Sequence, residues 1–197
     1  MSTRRRVLLG LAAAMSITAA ACSDASRPTL TAPDRIESQA QNLVETLTEL
    51  LIAPVTRTTA LAEDVVWSFS AGPNGGFTYN ANVGLSVAVP PGALDRTVRI
   101  TVTALKGKPV AYRFEPHLEF DRKVHLTQDL RGTSVGLVSG LVLKGAHFPG
   151  DAPTYTEDGL AVVDEIVGAF FSVFTKTVTF GVDHFTGWLV ASGNSRE

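Results

Sequence analysis

The side chains of this chain that could do chemistry are few: one cysteine, Cys22, and four histidines, which are His117, His125, His147 and His184. A single cysteine excludes an internal disulfide and any cysteine-based zinc site. The histidines have no metal-type spacing such as H-x-x-x-H, and no G-x-S-x-G, phosphate-loop or G-x-G-x-x-G signature occurs. We therefore predict no cofactor and no metal, and we place enzymatic activity on an outside substrate last among the possible functions.

One acidic stretch is a candidate calcium site. Glu157 and Asp158, with Asp164 and Glu165 beyond them, form either a calcium site or a solvated loop. The solvated loop is the commoner explanation for such a stretch.

The only cysteine follows a segment with the layout of an export signal. Arg4–Arg6 precede an uncharged apolar run from Val7 to Ala21, and Cys22 comes directly after three alanines. A basic region, a short apolar region and small residues at the cleavage point are typical of a signal peptide. The run is also short for a membrane span, which takes about 20 residues. The cysteine position resembles the lipobox of bacterial lipoproteins, so we predict a signal peptide over 1–21 and lipidation of Cys22, with an ordinary signal peptide as the alternative.

The export route and the final membrane are less closely defined. Thr3–Leu8 resembles a twin-arginine signal, although three arginines also suit the general secretory route. Ser23, in the second mature position, favours the outer membrane by analogy with known lipoproteins. Residues 22–33 are rich in Ser, Thr, Ala and Pro, which predicts a flexible tether.

Residues 34–53 have apolar side chains at three- and four-residue steps, which predicts an amphipathic helix that ends before Pro54. Its apolar face has three interpretations, in falling order of preference. The face packs against the main domain, it mediates weak self-association of an otherwise monomeric chain, or it lies on a membrane, for which its acidic polar face has the wrong charge.

The charge balance argues against nucleic acid as a partner. Without the three leader arginines, the chain carries 14 basic and 19 acidic groups, or −5. Binding to phosphates needs a clustered basic face, and here the Lys and Arg residues are scattered. The 45% apolar composition is enough for one folded domain.

After Thr58 the periodicity changes from helical to alternating. Alternation places one face of each segment in a core and the other in water. Roughly eight short strands separated by Gly and Pro turns predict an antiparallel β-sandwich or small barrel over 60–193. Ser134–Gly150, with its four glycines, predicts a weakened hairpin.

Several segments of this region resemble the ZU domain, the β-sandwich of zonula occludens proteins, netrin receptors and ankyrins. The resemblance lies in L-S-V-A-V-P-P-G-A-L at Leu85–Leu94, Y-R-F-E-P-H-L-E-F at Tyr112–Phe120 and K-V-H-L at Lys123–Leu126, and it resumes at Val178–Ser192. It implies a sandwich of the ZU type. The signature consists of turn and core residues, so it identifies architecture and gives no chemistry.

His184, Phe185 and Thr186 read H-F-T. This tripeptide is similar to the H-F-S and H-L-T sites at which the ZU region of a death-domain protein, and the autoproteolysis domains of adhesion receptors, cleave themselves. The resemblance implies that the Thr186 hydroxyl attacks the Phe185 carbonyl with His184 as base. Most ZU-like domains carry a related tripeptide without cleavage, as a core aromatic beside a hydroxyl.

Two functions of different classes follow. The first is a membrane-anchored envelope lipoprotein whose domain binds an unknown envelope protein or glycan, or has a structural role. Exposed aromatics such as Tyr79, Tyr155 or Trp188 would form a sugar-stacking surface if they share one face. The alternative is a self-cleaving domain cut between Phe185 and Thr186, and the mass of the intact chain distinguishes the two.

Overall fold

A computed structural model describes residues 50–135 and 142–193. The predicted signal peptide, Cys22, the tether and residues 34–49 of the predicted helix lie outside the described residues. The described part is mainly β, with antiparallel strand pairs throughout, as the sequence predicts. No helix in this part of the chain has the length and apolar character needed to cross a membrane.

The described residues form twelve strands. In chain order these are β1 (Leu50–Pro54), β2 (Thr56–Leu61), β3 (Val65–Ala71), β4 (Gly76–Asn80), β5 (Leu85–Val89), β6 (Val98–Ala104), β7 (Gly107–Pro109), β8 (Ala111–Asp129), β9 (Leu143–Phe148), β10 (Ala161–Val163), β11 (Glu165–Ser172) and β12 (Thr177–Ser192).

The alternating segments become strands with one buried face. In β5 the side chains of Leu85, Val87 and Val89 are buried, while the residues between them are half-buried. The turn after β5 contains Gly92, whose φ of 75° lies in the left-handed region that favours glycine. A glycine at this position therefore suits the turn.

Two long strands, β8 and β12, organise the sheet. They pair with each other from Thr177 opposite Asp129 to Leu189 opposite Ala111. The path across the sheet runs β10, β1, β12, β8, β5, β4, with β3, β6, β9 and β11 branching from it, and β2 pairs separately with β7. Tyr112–Phe120 and Lys123–Leu126, which the sequence presents as separate segments, are thus parts of one strand, because β8 continues through an irregular stretch between them.

The helix predicted over 34–53 does not reach its predicted end. Leu50–Pro54 form β1, which pairs with β10 and then with β12, and Ile52 is 1% exposed. A short run of apolar residues suits a buried strand as well as a helix. Here the pairing of β1 with β10 and with the end of β12 favours the strand over the helix.

The region predicted as a hairpin, Ser134–Gly150, is described only in part. Its second half forms β9, which pairs with β11 on one side and with β12 on the other. Gly145 permits this close packing, since a Cβ there would overlap the ring of Phe180.

The buried side chains form two clusters. The larger contains most of the apolar residues of β5, β6, β8 and β12, and the smaller gathers Ile52, Phe148, Leu189 and neighbouring small residues. Phe185 is completely buried in the larger cluster. It stacks on Phe114 at 4.3 Å and meets Phe120 edge-on at 4.6 Å between ring centroids, which fixes the position of β12 around it.

Candidate functional site

The candidate site lies along β12, where two neighbouring strands leave a gap. β11 pairs with β12 only as far as Phe180, and β9 pairs with β12 only from Gly187 onward. Among the described residues, the segment 181–186 therefore has no strand partner on this side. Its polar residues are Asp183, His184 and Thr186.

On its other side the same segment pairs irregularly with β8. Phe185 lies opposite Leu118, but Gly187 lies opposite Arg113, so one residue of β12, Thr186, faces four of β8. The peptide between Phe185 and Thr186 is thus at a break in the regular ladder. Such irregularities redirect side chains and occur next to active sites.

The Thr186 hydroxyl is hydrogen-bonded to a histidine that a carboxylate holds. Nε2 of His147 contacts Oγ1 of Thr186, and Nδ1 of the same ring contacts the carboxylate of Asp164. The backbone reinforces this contact, since the Asp164 N–H donates to the His147 carbonyl at 3.2 Å. β9 therefore brings a residue 39 positions away in sequence against the hydroxyl.

A second imidazole approaches the same hydroxyl from its own strand. Nδ1 of His184 lies 3.4 Å from Oγ1 of Thr186, and Nε2 of His184 lies 2.8 Å from the Glu165 carboxylate. The two imidazole rings meet edge to face with centroids 4.8 Å apart.

The hydrogen-bond roles follow from the carboxylates. An ionised carboxylate only accepts, so Nδ1 of His147 and Nε2 of His184 are the donors to Asp164 and Glu165. In a neutral ring the other nitrogen accepts, and in both rings that nitrogen faces Thr186. The hydroxyl has a single proton, and the closer acceptor for it is Nε2 of His147.

The site is partly sheltered from water. The His147 and His184 side chains are 13% and 28% exposed, and Thr186 is half-buried. The buried ring of Trp188 lies 5.4 Å from His147 and 5.3 Å from His184, and its indole N–H donates to the His184 carbonyl at 3.2 Å. A hydroxyl on an imidazole that a carboxylate orients is the arrangement of an activated nucleophile.

The structure brings together the two residues that the sequence singled out, His184 and Thr186. Sequence reasoning missed His147 and Asp164 as their partners, and it placed Asp164 and Glu165 in an acidic loop. No local pattern marks His147, because only the pairing of β9 with β12 places it opposite Trp188.

The predicted aromatic surface is not formed by the residues proposed for it. Trp188 is completely buried, so the prediction that it contributes to a sugar-stacking surface is wrong. Tyr79 is 55% exposed on β4, whereas Tyr155 is 38% exposed and lines a cavity together with Asp64 and Pro109. Tyr79 does not line that cavity.

Comparison with models of protein families found no match, and comparison with curated proteins found none either. The function of the site is therefore inferred from its geometry.

Proposed function

We propose that the domain cleaves its own chain between Phe185 and Thr186. The observation that carries this proposal is the contact of the Thr186 hydroxyl with His147, whose other nitrogen is held by Asp164. A hydroxyl with an oriented base beside it can act as a nucleophile, and it reaches the carbonyl of the preceding residue, Phe185, through a five-membered ring.

The reaction balances within the site. Oγ1 of Thr186 bonds to the carbonyl carbon of Phe185 while its proton moves to Nε2 of His147. The bond from that carbon to the Thr186 nitrogen then breaks, the nitrogen takes up a proton, and an ester links Phe185 to the Thr186 side chain. Water hydrolyses this ester to leave a carboxylate on Phe185 and a new amino terminus at Thr186. The two rings packed against Phe185 hold its side chain, which limits the motion of the residue that carries the attacked carbonyl.

The ester provides a direct test. Hydroxylamine attacks esters, so it should accelerate cleavage of the chain and leave a hydroxamate on Phe185. Thr186→Ala should stay intact under the same treatment, Thr186→Ser should cleave, and Thr179→Ala, a threonine of β12 outside the site, should behave as the wild type. An intact wild-type chain, or cleavage of Thr186→Ala at this bond, would overturn the proposal.

We infer, further, that the domain is a β-sandwich of the ZU type. The resemblance of Leu85–Leu94 and Tyr112–Phe120 to that family supports this, as do the antiparallel strands and the turn at Gly92. An experimental structure with two packed sheets would establish it, and a closed single barrel would contradict it.

We propose that the chain is exported and anchored by lipid on Cys22, with the outer membrane as its destination. The support is the sequence layout of residues 1–22. Nucleic acid is not a proposed partner, and the chain is proposed to be a monomer or a weak oligomer formed through residues 34–49. Wild-type protein should sediment with membranes, and Cys22→Ser should remain in the aqueous fraction; equal partition of both would contradict the anchor.

A second candidate function, binding of an envelope glycan, is favoured by the outward face of the sheet. One row across five strands runs in register through Phe170, Thr179, Thr127, Ser86 and Tyr79. The aromatic rings at its ends are 73% and 55% exposed. They offer apolar surface to sugar rings, and the hydroxyls between them offer hydrogen bonds.

Sedimentation with purified cell-wall polysaccharide tests this second function. The chain should sediment with the polysaccharide, and the double variant Phe170→Ala, Tyr79→Ala should stay in solution. Val66→Ala, which removes an exposed apolar side chain from β3, is the matched control. Retention of the double variant would rule out this face as the binding surface.

A further inference from the structure

Next to the proposed cleavage site, two carboxylates lie near one imidazole. Ligand atoms of Glu165, Asp183 and His184 all lie within 4.8 Å of one another. Nε2 of His184 contacts Glu165 at 2.8 Å, and the described residues provide no Lys or Arg ion pair to either carboxylate. Two carboxylates this close repel each other, and a cation between them removes the repulsion.

The backbone of β12 is shaped to bring these groups together. Neighbouring residues of a strand point to opposite faces, so Asp183 and His184 should diverge. The register of β12 with β8 shifts between Val182 and His184, and the alternation of burial is broken there. Val182 and Phe185 are buried, while Asp183 and His184 both lie toward solvent. The bulge thus turns two consecutive ligand side chains to the same side.

We propose that Glu165, Asp183 and His184 bind a divalent transition-metal ion. A nitrogen donor with two carboxylate oxygens suits Zn²⁺, Co²⁺ or Mn²⁺ better than Ca²⁺, which prefers oxygen ligands alone. Metal–ligand bonds of about 2.0–2.2 Å bring ligand atoms to roughly 3–4 Å from one another. The exposed Asp183 side chain can close this difference by rotation.

The ion would take a place separate from the proposed nucleophile. It replaces the proton that Nε2 of His184 donates to Glu165, and this proton is released to solvent on binding. Thr186 lies on the Nδ1 side of the ring and has its contact with His147. The metal site goes beyond the proposed cleavage and does not depend on it, so the two proposals can fail separately.

Trp188 offers a reporter, because its ring lies 5.3 Å from that of His184. The full chain has two tryptophans, so Trp67→Phe leaves Trp188 as the single tryptophan, whose emission is excited selectively at wavelengths that tyrosine does not absorb, and Thr186→Ala keeps the chain uncut. Titration of this double variant with Co²⁺, after treatment with a chelator, should quench the fluorescence saturably with one ion per chain. Zn²⁺ should reverse the quenching by competition, and Ca²⁺ at the same concentration should not.

Ligand substitutions decide whether the ion is in this site. Glu165→Gln, Asp183→Asn and His184→Ala, each in the same background, should raise the Kd for Co²⁺ by at least about tenfold. Asp183→Asn is exposed and nearly isosteric, so its fold is expected to be intact by circular dichroism. Asp158→Asn and His125→Ala, which lie outside the cluster, should leave the Kd unchanged.

Absence of saturable quenching, or quenching that the three ligand variants leave unchanged, would overturn the metal site. Cleavage of the wild-type chain is followed separately, with and without chelator. A chain that cleaves but does not bind Co²⁺ would refute this inference alone, and one that binds Co²⁺ but does not cleave would refute the proposed function alone.

Discussion

At the scale of single residues, the two histidines beside Thr186 differ in what they contact. His147 is linked to Asp164 and to the hydroxyl, whereas His184 is linked to Glu165 and lies 3.4 Å from the hydroxyl. The resemblance to self-cleaving tripeptides implies His184 as base, because it is the neighbour in sequence. The hydrogen bonds favour His147.

Substitution of each histidine separates these roles. His147→Ala should slow cleavage by about 10²–10⁴-fold, the usual contribution of a general base, and added imidazole should restore part of the rate. Asp164→Asn should also slow cleavage, because the amide no longer holds the ring as a carboxylate does, and Asp164→Glu should recover activity. Rates are measured by gel densitometry, with His125→Ala as control. A larger loss in His184→Ala than in His147→Ala would assign the base to His184.

A second residue-scale prediction concerns Tyr112 and alkaline pH. Burial raises the pKa of Tyr112 to about 12, although the charge of Arg57 opposes the shift, and its hydroxyl is hydrogen-bonded to the Gln128 side chain. In the unfolded chain the pKa of a tyrosine is about 10. The contribution of the neutral Tyr112 hydroxyl to the free energy of unfolding is therefore complete below pH 10 and is lost as the pH rises toward 12. The loss is on the order of 3 kcal/mol.

Urea unfolding between pH 9 and pH 12 measures this effect. Tyr112→Phe should be less stable than the wild type at pH 9 by about 1–3 kcal/mol, since it leaves the buried Gln128 oxygen unsatisfied. The difference should shrink above pH 10. Tyr155 provides the control, because burial also raises its pKa to about 12. In Tyr155→Phe, the fall of the free energy of unfolding with pH that is due to Tyr112 should persist. A constant difference across this pH range would contradict the assignment.

At the scale of elements, the site depends on how closely β9 approaches β12. Gly187 lies opposite Phe148, and a Cβ at Gly187 would overlap the Phe148 ring. Gly187→Ala should therefore destabilise the domain by roughly 1–3 kcal/mol, and it should slow cleavage by displacing His147. Gly168→Ala, where a Cβ meets no atom within 4 Å, is the control and should change stability by less than about 0.5 kcal/mol. Thermal unfolding and the cleavage rate measure both effects, and equal stability of the two variants would contradict the packing.

Local pattern predicted the elements better than it predicted the site. Alternation in β5 and in the second half of β8 is visible because one face of each is buried. The sequence predicts helix for residues 50–53, which form β1, because a short apolar run carries no period that would distinguish a strand from a helix. His147 and Asp164 could not be foreseen, since their meeting with Thr186 depends on the branching of β9 and β11 from β12, which is set by long-range pairing.

At the scale of the whole molecule, cleavage should not separate the two parts. The residues after the cut include Trp188, Leu189 and Val190, all at most 1% exposed, and they pair with β8, β9 and β1. Burial of each such side chain is worth about 1.5–3 kcal/mol. The fragments should therefore elute together on a sizing column in native buffer and separate in denaturant. Elution of the small fragment alone in native buffer would contradict this arrangement.

The mass of the intact purified chain under denaturing conditions tests the central claim most directly. We expect two masses whose sum exceeds that of the uncut chain by one water, with Thr186 at the start of the smaller fragment, and a single mass for Thr186→Ala. A single uncut mass for the wild type, stable through prolonged incubation, would contradict self-cleavage at Thr186.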